Sequence, residues 1–237
     1  MIKNYLLKTL KKLIVFFNNR LKLKVQPSSP ADLYHEDVAK NSYETFKNYF
    51  KDCYVFSDDG SIRSFAINEA IKKFGKESLF LEFGVFKGDS INLFAKKLKK
   101  IDAEIIGFDS FKGLKDEWMT EEFNPPGTFD LKGKKPRVEE NVRLIDGWVE
   151  ETAKDFLSKN SKKIAFIHFD LDTYNSTSFV LKSLKKGFQP GTIILFDEFY
   201  GFPNWEKYEY RAFKEEIEEN KFKFIAFGSR QACIKIV

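Results

Sequence analysis

The sequence is poor in the residues that build disulfide frameworks and zinc sites. Its 237 residues include two cysteines, Cys53 and Cys233, which lie far apart and form no C-x-x-C pair. Such a pair of cysteines supports neither a disulfide-stapled secreted domain nor a structural zinc site. We therefore expect a reducing, cytoplasmic setting. The length and the 43% apolar content suit one sizeable domain with its own core.

A membrane-spanning run is also lacking. The longest apolar run of the N-terminal segment is LIVFF at 13–17, far short of the roughly 18 residues that a transmembrane helix needs. No small-residue cleavage site follows it. Residues 1–25 instead place leucines at helical spacing between lysines, which predicts an amphipathic helix. Two interpretations stay open: the helix packs on its own domain or on a second copy of the chain, or it attaches loosely to the anionic inner face of a membrane.

A basic folded domain, as expected of a nucleic-acid binder, is lacking too. The formal net charge is +5, but residues 1–31 contain seven Lys or Arg and no acid, so the rest of the chain sums to 5 − 7 = −2. We therefore expect no nucleic-acid partner. A Pro- and Ser-containing linker at 25–33 and a helical pattern at 36–51 complete the N-terminal part. The predicted organisation is an N-terminal segment 1–60, with amphipathic helix, linker and capping helix, before a main domain 61–237.

What the chain has in abundance is apolar runs that end in glycine or acids. Five of them occur between residues 78 and 199, and all but the second are followed by a helical pattern. Continuous Ile- and Phe-rich runs are typical of parallel strands that are covered on both faces. The last two runs, at 222–237, flank Gly228-Ser229-Arg230 and predict an antiparallel hairpin. The sequence therefore predicts an α/β fold, a Rossmann-like doubly wound sheet with a terminal antiparallel hairpin and N-terminal helices.

Carboxylates follow two of these runs directly. Asp170 and Asp172 end IAFIHFDLDTY at 164–174, and Asp197 and Glu198 end IILFDEF at 193–199. In an open α/β sheet, ligands bind beyond the carboxyl ends of the strands, so we expect these acids to converge. Oxygen ligands without a His or Cys cluster favour magnesium over zinc. The alternative is that these acids only cap the helices that follow, Asp172 above all.

A glycine turn follows the first run. The pattern Glu82-x-Gly84-x-x-x-Gly88 precedes a helix that Asp89 or Ser90 would cap. Glycines between a strand and a helix N-terminus let backbone N–H groups approach a ligand closely. The spacing differs from the dinucleotide G-x-G-x-x-G pattern, which disfavours a nicotinamide dehydrogenase.

Two further residues extend this candidate cofactor site. Asp109 ends the next strand, where an acid would bind ribose hydroxyls, although a turn or cap role is the alternative. Trp148 follows Gly147 at the end of the third run and would lie either near an aromatic base or in the core. Residues 112–141 form a loop far longer than usual, and we expect a lid anchored by apolar side chains, namely Trp118, Met119, Phe123 and Phe129.

The motifs in combination resemble those of a known family. FDSFKGL, GTFDLKG, VRLIDGWVEET, FIHFDLDTYNST and PGTIILFDEF occur in this order, and together they resemble the macrocin O-methyltransferase family of class I S-adenosylmethionine-dependent methyltransferases. The similarity covers residues 60–237, roughly. It implies a seven-stranded sheet, the cofactor S-adenosyl-L-methionine, a divalent ion such as Mg²⁺, and a sugar hydroxyl as acceptor. The chain departs from the family where Asp197-Glu198 stands in place of two adjacent aspartates.

The resemblance also implies roles for individual residues. Glu82, Gly84, Gly88 and Ser90 would surround the methionine part of the cofactor, Asp109 the ribose, and Ser110, Gly147 and Trp148 the adenine. The metal ligands would be Asp170, Asp197 and Glu198, with Asp172 as the catalytic base beside Asp170. The expected function is metal-dependent O-methylation of a sugar or glycosylated metabolite. Metal-independent methylation of another small molecule, and a cofactor-binding module without turnover, stay open as alternatives, as does assembly into a homo-oligomer.

Overall fold

The computed structural model describes residues 29–237 of the chain. The amphipathic helix predicted over 1–25 therefore lies outside the described residues, and so does its predicted membrane contact. Helix α1 runs from Pro30 to Phe50 and begins earlier than the helical pattern at 36–51 indicates. None of the helices within 29–237 has the length and hydropathy needed to cross a bilayer.

The main sheet has eight strands, and five further helices alternate with them along the chain. The strands are β1 (Tyr54–Val55), β2 (Leu79–Phe83), β3 (Ile105–Asp109), β6 (Val142–Asp146), β7 (Ile164–Phe169), β8 (Ile193–Phe196), β9 (Phe222–Phe227) and β10 (Ala232–Ile236). The helices are α2 (Asp59–Lys73), α3 (Asp89–Leu98), α4 (Val149–Ser158), α5 (Tyr174–Leu184) and α6 (Glu209–Glu216). Two short strands, β4 (Trp118–Met119) and β5 (Phe123–Asn124), form a separate antiparallel pair.

The strand order is β1-β9-β10-β8-β7-β2-β3-β6. Neighbours pair in parallel except for β10, which is antiparallel to both β8 and β9. This confirms the predicted doubly wound α/β fold with its terminal antiparallel hairpin. The sheet has one strand more than the seven expected, because residues Tyr54 and Val55 add a short parallel strand at its edge.

Helices cover both faces of the sheet, which explains why its central strands are mostly apolar. Residues of α4, α5 and α6 pack on one face together with Phe46 from α1. Residues of α2 and α3 pack on the other face. The side chains of β2, β7 and β8 are buried along their whole length. Such two-sided burial leaves the strand ends as the places where polar side chains can gather.

The long segment between β3 and β6 folds back on itself. Leu114 N–H donates to the Thr128 carbonyl, and Gly127 N–H donates to the Leu114 carbonyl. Of the four predicted apolar anchors, Trp118 is 6% exposed, whereas Met119, Phe123 and Phe129 are 41–58% exposed. Trp118 is thus the buried anchor of the segment, and it packs against Phe202. Hydrogen bonds from Met119 N–H to Tyr208 Oη and from Asn204 to the Met119 carbonyl also attach the segment to the domain. A lid that closes over substrate stays a prediction.

Candidate active site

A cavity of about 230 Å³ lies at the carboxyl ends of the central strands. Seven of the predicted site residues line it: Gly84, Asp109, Ser110, Trp148, Asp170, Asp172 and Glu198. Phe86, Trp118 and Phe129 add aromatic surface to the same walls. The other predicted residues, Glu82, Gly88, Ser90, Gly147 and Asp197, do not line the cavity. The structure thus brings candidate cofactor residues and candidate acids to one space, as the topology predicts.

Gly84 is needed for a close approach between two strand ends. Its backbone has a φ of +88°, and a Cβ at this position would lie 1.7 Å from the carbonyl oxygen of Asp170. The backbone of Asp170, which directly follows β7, therefore occupies the space where a Cβ of residue 84 would lie. Gly88, with a φ of +84°, is the N-cap residue of α3, so neither Asp89 nor Ser90 caps this helix. A left-handed φ explains glycine there, because other residues adopt it at a cost.

Asp109 holds the glycine turn by hydrogen bonds. Its Oδ2 accepts from the N–H groups of Val85 at 2.8 Å and Phe86 at 2.7 Å, and its Oδ1 accepts from Phe111 N–H at 2.7 Å. These bonds satisfy donors of a turn in which Phe86 has a φ of +46°. The carboxylate therefore orders the loop and also faces the cavity. Its predicted role at the ribose stays a prediction.

A buried polar chain runs beneath the cavity from Ser90 to Asp197. Ser90 Oγ donates to Glu82 Oε1 at 2.7 Å. The other oxygen, Glu82 Oε2, lies 3.6 Å from His168 Nδ1, and His168 Nε2 lies 3.1 Å from Asp197 Oδ1. Burial lowers the pKa of His168, but hydrogen bonds and charge from Asp197 and Glu82 outweigh it and raise that pKa to about 10. The imidazole ring of His168 thus lies between the side chains of Glu82 and Asp197.

Asp197 is held by donors from three residues at one oxygen. Its Oδ1 accepts from Arg63 Nη2 at 2.7 Å, from His168, and from Gln231 Nε2. Burial raises the pKa of Asp197, yet His168 and Arg63 together keep it well below the usual range. One ligand atom each from His168, Asp170 and Asp197 lie within 4.8 Å of one another. The Arg63 guanidinium is therefore a cation already bound at a predicted metal ligand.

Asp170 and Asp172 stand in contrast, because they lack partners. Within residues 29–237, no group donates a hydrogen bond to either carboxylate. Burial raises the pKa of Asp170 well above its ordinary value, and the charges of Asp197 and Asp172 raise it further. The pKa of Asp172 is raised likewise, first by burial and then by Glu198 and Glu209. Carboxylates kept close together in this way favour either a proton or a cation between them.

Glu198 lines the same cavity as Asp172, and its charge helps to raise the pKa of Asp172. Burial raises the pKa of Glu198 to about 7, although Arg230 lowers it; Arg230 Nη1 lies 3.5 Å from Glu198 Oε2. Asp172 has a φ of +61°, an uncommon conformation for a residue other than glycine. The N-cap residue of α5 is Thr173 rather than Asp172. Asp172 therefore does not occupy the cap position that its alternative interpretation requires.

Two residues of the site could not be found by the sequence reasoning. Arg63 lies on α2, more than a hundred residues before the acid it binds, in a region outside the shared motifs. Glu209 lies at the start of α6 and is fully buried behind the acids. The only sequence signal for Glu209 was a charged residue within the aromatic stretch WEKYEY. Both owe their place to the tertiary fold.

Comparisons with known proteins agree with this geometry. Residues 81–199, half of the chain, match a family model described as a methyltransferase domain. The chain belongs to this family, which confirms the predicted class of S-adenosylmethionine-dependent methyltransferase. The matched stretch begins within β2, which carries Glu82, and ends just after Glu198, so it contains every predicted site residue. No curated protein sequence matches the chain.

Solved structures show the same fold. The calicheamicin methyltransferase CalS11 is 20% identical, with a TM-score of 0.59 over 89% of this chain and 94% of that one. An apo structure of CalS11, described as a TDP-rhamnose 3'-O-methyltransferase, is 22% identical, with a TM-score of 0.56 over 89% and 96%. The O-methyltransferase NovP is 20% identical, with a TM-score of 0.52 over 75% and 79%. At 20–22% identity, this similarity shows that the chain shares the fold of these proteins and shows nothing further about it.

Proposed function

We propose that this chain is an S-adenosylmethionine-dependent O-methyltransferase that methylates a hydroxyl group of a sugar or glycosylated metabolite with the help of a divalent cation. The observation that carries this proposal is the shared cavity, in which Asp170, Asp172 and Glu198 face the same space as Gly84 and Trp148. A carboxylate beside the methyl donor is what activation of a hydroxyl requires. CalS11, which shares the fold, is described as acting on TDP-rhamnose, and this supports a sugar acceptor.

The reaction moves a methyl group from a sulfonium to an oxygen. The carbon–sulfur bond breaks and leaves its electron pair on sulfur, while the acceptor oxygen forms the new bond to carbon. The hydroxyl proton must leave, and Asp172 is the residue we assign to take it. Burial and the neighbouring charges raise the pKa of Asp172 above its ordinary value, which makes it a better base than an exposed aspartate. Trp148 and Asp109 would hold the adenosine part, and Gly84 with the buried Glu82 would border the methionine part.

The donor set fits a divalent cation. Besides Asp109, six carboxyl groups lie in or directly behind the site, namely Glu82, Asp170, Asp172, Asp197, Glu198 and Glu209. Three cationic side chains face them, namely Arg63, His168 and Arg230. The excess of carboxylates and the unpartnered Asp170 suit an oxygen-preferring ion such as Mg²⁺. Asp170, Asp197 and Glu198 would hold it, and when bound it would lower the pKa of the acceptor hydroxyl.

Metal-independent O-methylation is the second candidate, and Arg63 is the observation that favours it. The Arg63 guanidinium already pairs with the charge of Asp197 and donates a hydrogen bond to its Oδ1. With that cation in place, Asp172 alone could accept the hydroxyl proton. The two candidates differ in whether turnover depends on a divalent ion.

A methyl-transfer assay with labelled cofactor tests both candidates. The acceptors are a panel of nucleotide sugars and surface glycans, each assayed with MgCl₂ and with EDTA. We expect label on a sugar acceptor and loss of transfer in EDTA. Full transfer in EDTA would refute the metal role and support the second candidate. Cofactor binding by calorimetry without transfer to any acceptor would indicate a binding module instead.

A further inference from the structure

Glu209 joins the two loops that carry the candidate acids. Its Oε1 accepts a hydrogen bond from Leu171 N–H at 3.2 Å, and its Oε2 accepts one from Glu198 N–H at 3.2 Å. Leu171 lies in the loop after β7, and Glu198 in the loop after β8. The side chain of Glu209 is fully buried, so both bonds form away from solvent. One carboxyl group thereby bridges the two loops, in addition to the backbone bond from Asp197 N–H to the Phe169 carbonyl that joins the strand ends directly.

The loop after β7 needs such support because it contains a tight turn. Thr173 N–H donates to the Leu171 carbonyl at 2.6 Å, two residues back. Asp172 is the central residue of this turn and has a φ of +61°. Turns of this kind with a positive φ are rare and strained. The bond from Leu171 N–H to Glu209 anchors the residue just before the strained position, and so holds the direction of the Asp172 side chain.

We infer that Glu209 is a positioning residue for methyl transfer, which sets the separation of Asp172 and Glu198 and touches neither cofactor nor acceptor. This inference rests on the proposed function, since it assigns a purpose to the spacing of those acids. A carboxylate suits the task because both of its oxygens accept. A glutamine of the same shape offers one acceptor and one donor, so one of the two N–H groups would face another N–H group.

The substitution Glu209→Gln tests the inference, and Glu216→Gln provides a matched control. Glu216 lies on the same helix, its side chain is 6% exposed, and it pairs with Lys182 and Lys185 outside the cavity. Amide hydrogen exchange is measured by NMR in both variants, together with cofactor affinity, kcat and KM. We expect Glu209→Gln to speed exchange at Leu171 or Glu198 at least about tenfold and to lower kcat at least about tenfold. Cofactor affinity should stay within about twofold, because the residues that hold the cofactor are untouched.

The two kinds of measurement separate failure of this inference from failure of the proposed function. Amide exchange needs no acceptor, so it reports on the loops even if no methyl transfer is found. Unchanged exchange at both Leu171 and Glu198 in Glu209→Gln would overturn the inference. A loss of kcat no greater than in Glu216→Gln would overturn it as well. An equal loss of cofactor affinity and kcat would indicate general damage to the domain rather than positioning.

Discussion

Arg63 donates a hydrogen bond to Asp197 over 2.7 Å, and the two side chains are only 18% and 13% exposed. The guanidinium of Arg63 on α2 thus forms an ion pair with Asp197, which directly follows β8. Replacing Arg63 with Met removes one of the two basic side chains that pair with this mostly buried carboxylate, the other being His168. We expect the free energy of unfolding to fall by about 2 kcal/mol, measured by urea denaturation.

The double variant Arg63→Met/Asp197→Asn isolates the pair. It removes the unpaired charge, so it should lose less stability than Arg63→Met alone. If Asp197 is a metal ligand, MgCl₂ should stabilise Arg63→Met more than the wild type, because the ion can replace the missing cation. Equal stabilities of the single and double variants would contradict a charge-dependent role for Arg63.

A second prediction concerns the close approach at Gly84. The substitution Gly84→Ala would place a Cβ 1.7 Å from the Asp170 carbonyl oxygen. Gly127 is the matched control, since its φ of +86° is almost the same and nothing lies within 4 Å of its added Cβ. Gly127→Ala should lower the free energy of unfolding by about 1–2 kcal/mol through backbone strain alone. Gly84→Ala should lose at least about 3 kcal/mol, because overlap adds to strain. Equal losses in denaturation experiments would show that the loop can move away from β7.

A third prediction separates the roles left open for Asp172. Asn keeps the shape of Asp, tolerates a positive φ, and caps helices equally well. If Asp172 is the base, Asp172→Asn should lower kcat by about 10²–10⁴-fold, and cofactor affinity measured by calorimetry should be unchanged. Near-normal kcat in Asp172→Asn, combined with loss in Asp172→Ala, would indicate a role in the turn instead.

Much of this arrangement could be predicted because it is local in the sequence. Each buried strand is a continuous apolar run, and Asp170, Asp172 and Glu198 follow their strands directly, so the topology alone brings them to one edge. The sequence identifies Gly84 as a position that requires glycine, but it does not show why glycine is required there. The nearest atom to its missing Cβ belongs to Asp170, which is 86 residues away in the chain.

What escaped prediction depends on long-range packing. Arg63 reaches Asp197 only because α2 lies on the sheet face beneath β8, and no local pattern marks that contact. Glu209 looks like an ordinary acid in the first turn of α6, where negative charge is favoured in any helix. Its burial and its two backbone partners come from the loops after β7 and β8.

A fourth prediction concerns Asp170, the unpartnered acid. We expect Asp170→Ala to abolish turnover at every MgCl₂ concentration, since the proposed metal ligand would be lost, while cofactor binding persists. Asp155→Ala is the control, because Asp155 is exposed on α4 and, within residues 29–237, forms its ion pair with Lys159. Kinetics with increasing MgCl₂ provide the measurement. Retained turnover with an unchanged magnesium response in Asp170→Ala would exclude Asp170 from metal binding.

The last prediction is a pH dependence of stability caused by His168. The pKa of His168 is about 10 in the folded chain, against an ordinary value of 6.5, so the folded state binds this proton more tightly than the unfolded state does. Its contribution to stability is therefore complete below pH 6.5 and is lost as the pH rises through about 10. The variant His168→Gln cannot gain or lose this proton. The free energy of unfolding is measured by urea denaturation between pH 7 and 10. We expect it to fall more steeply with pH in the wild type than in His168→Gln. If it changes with pH equally in both proteins, the imidazole is neutral between Glu82 and Asp197.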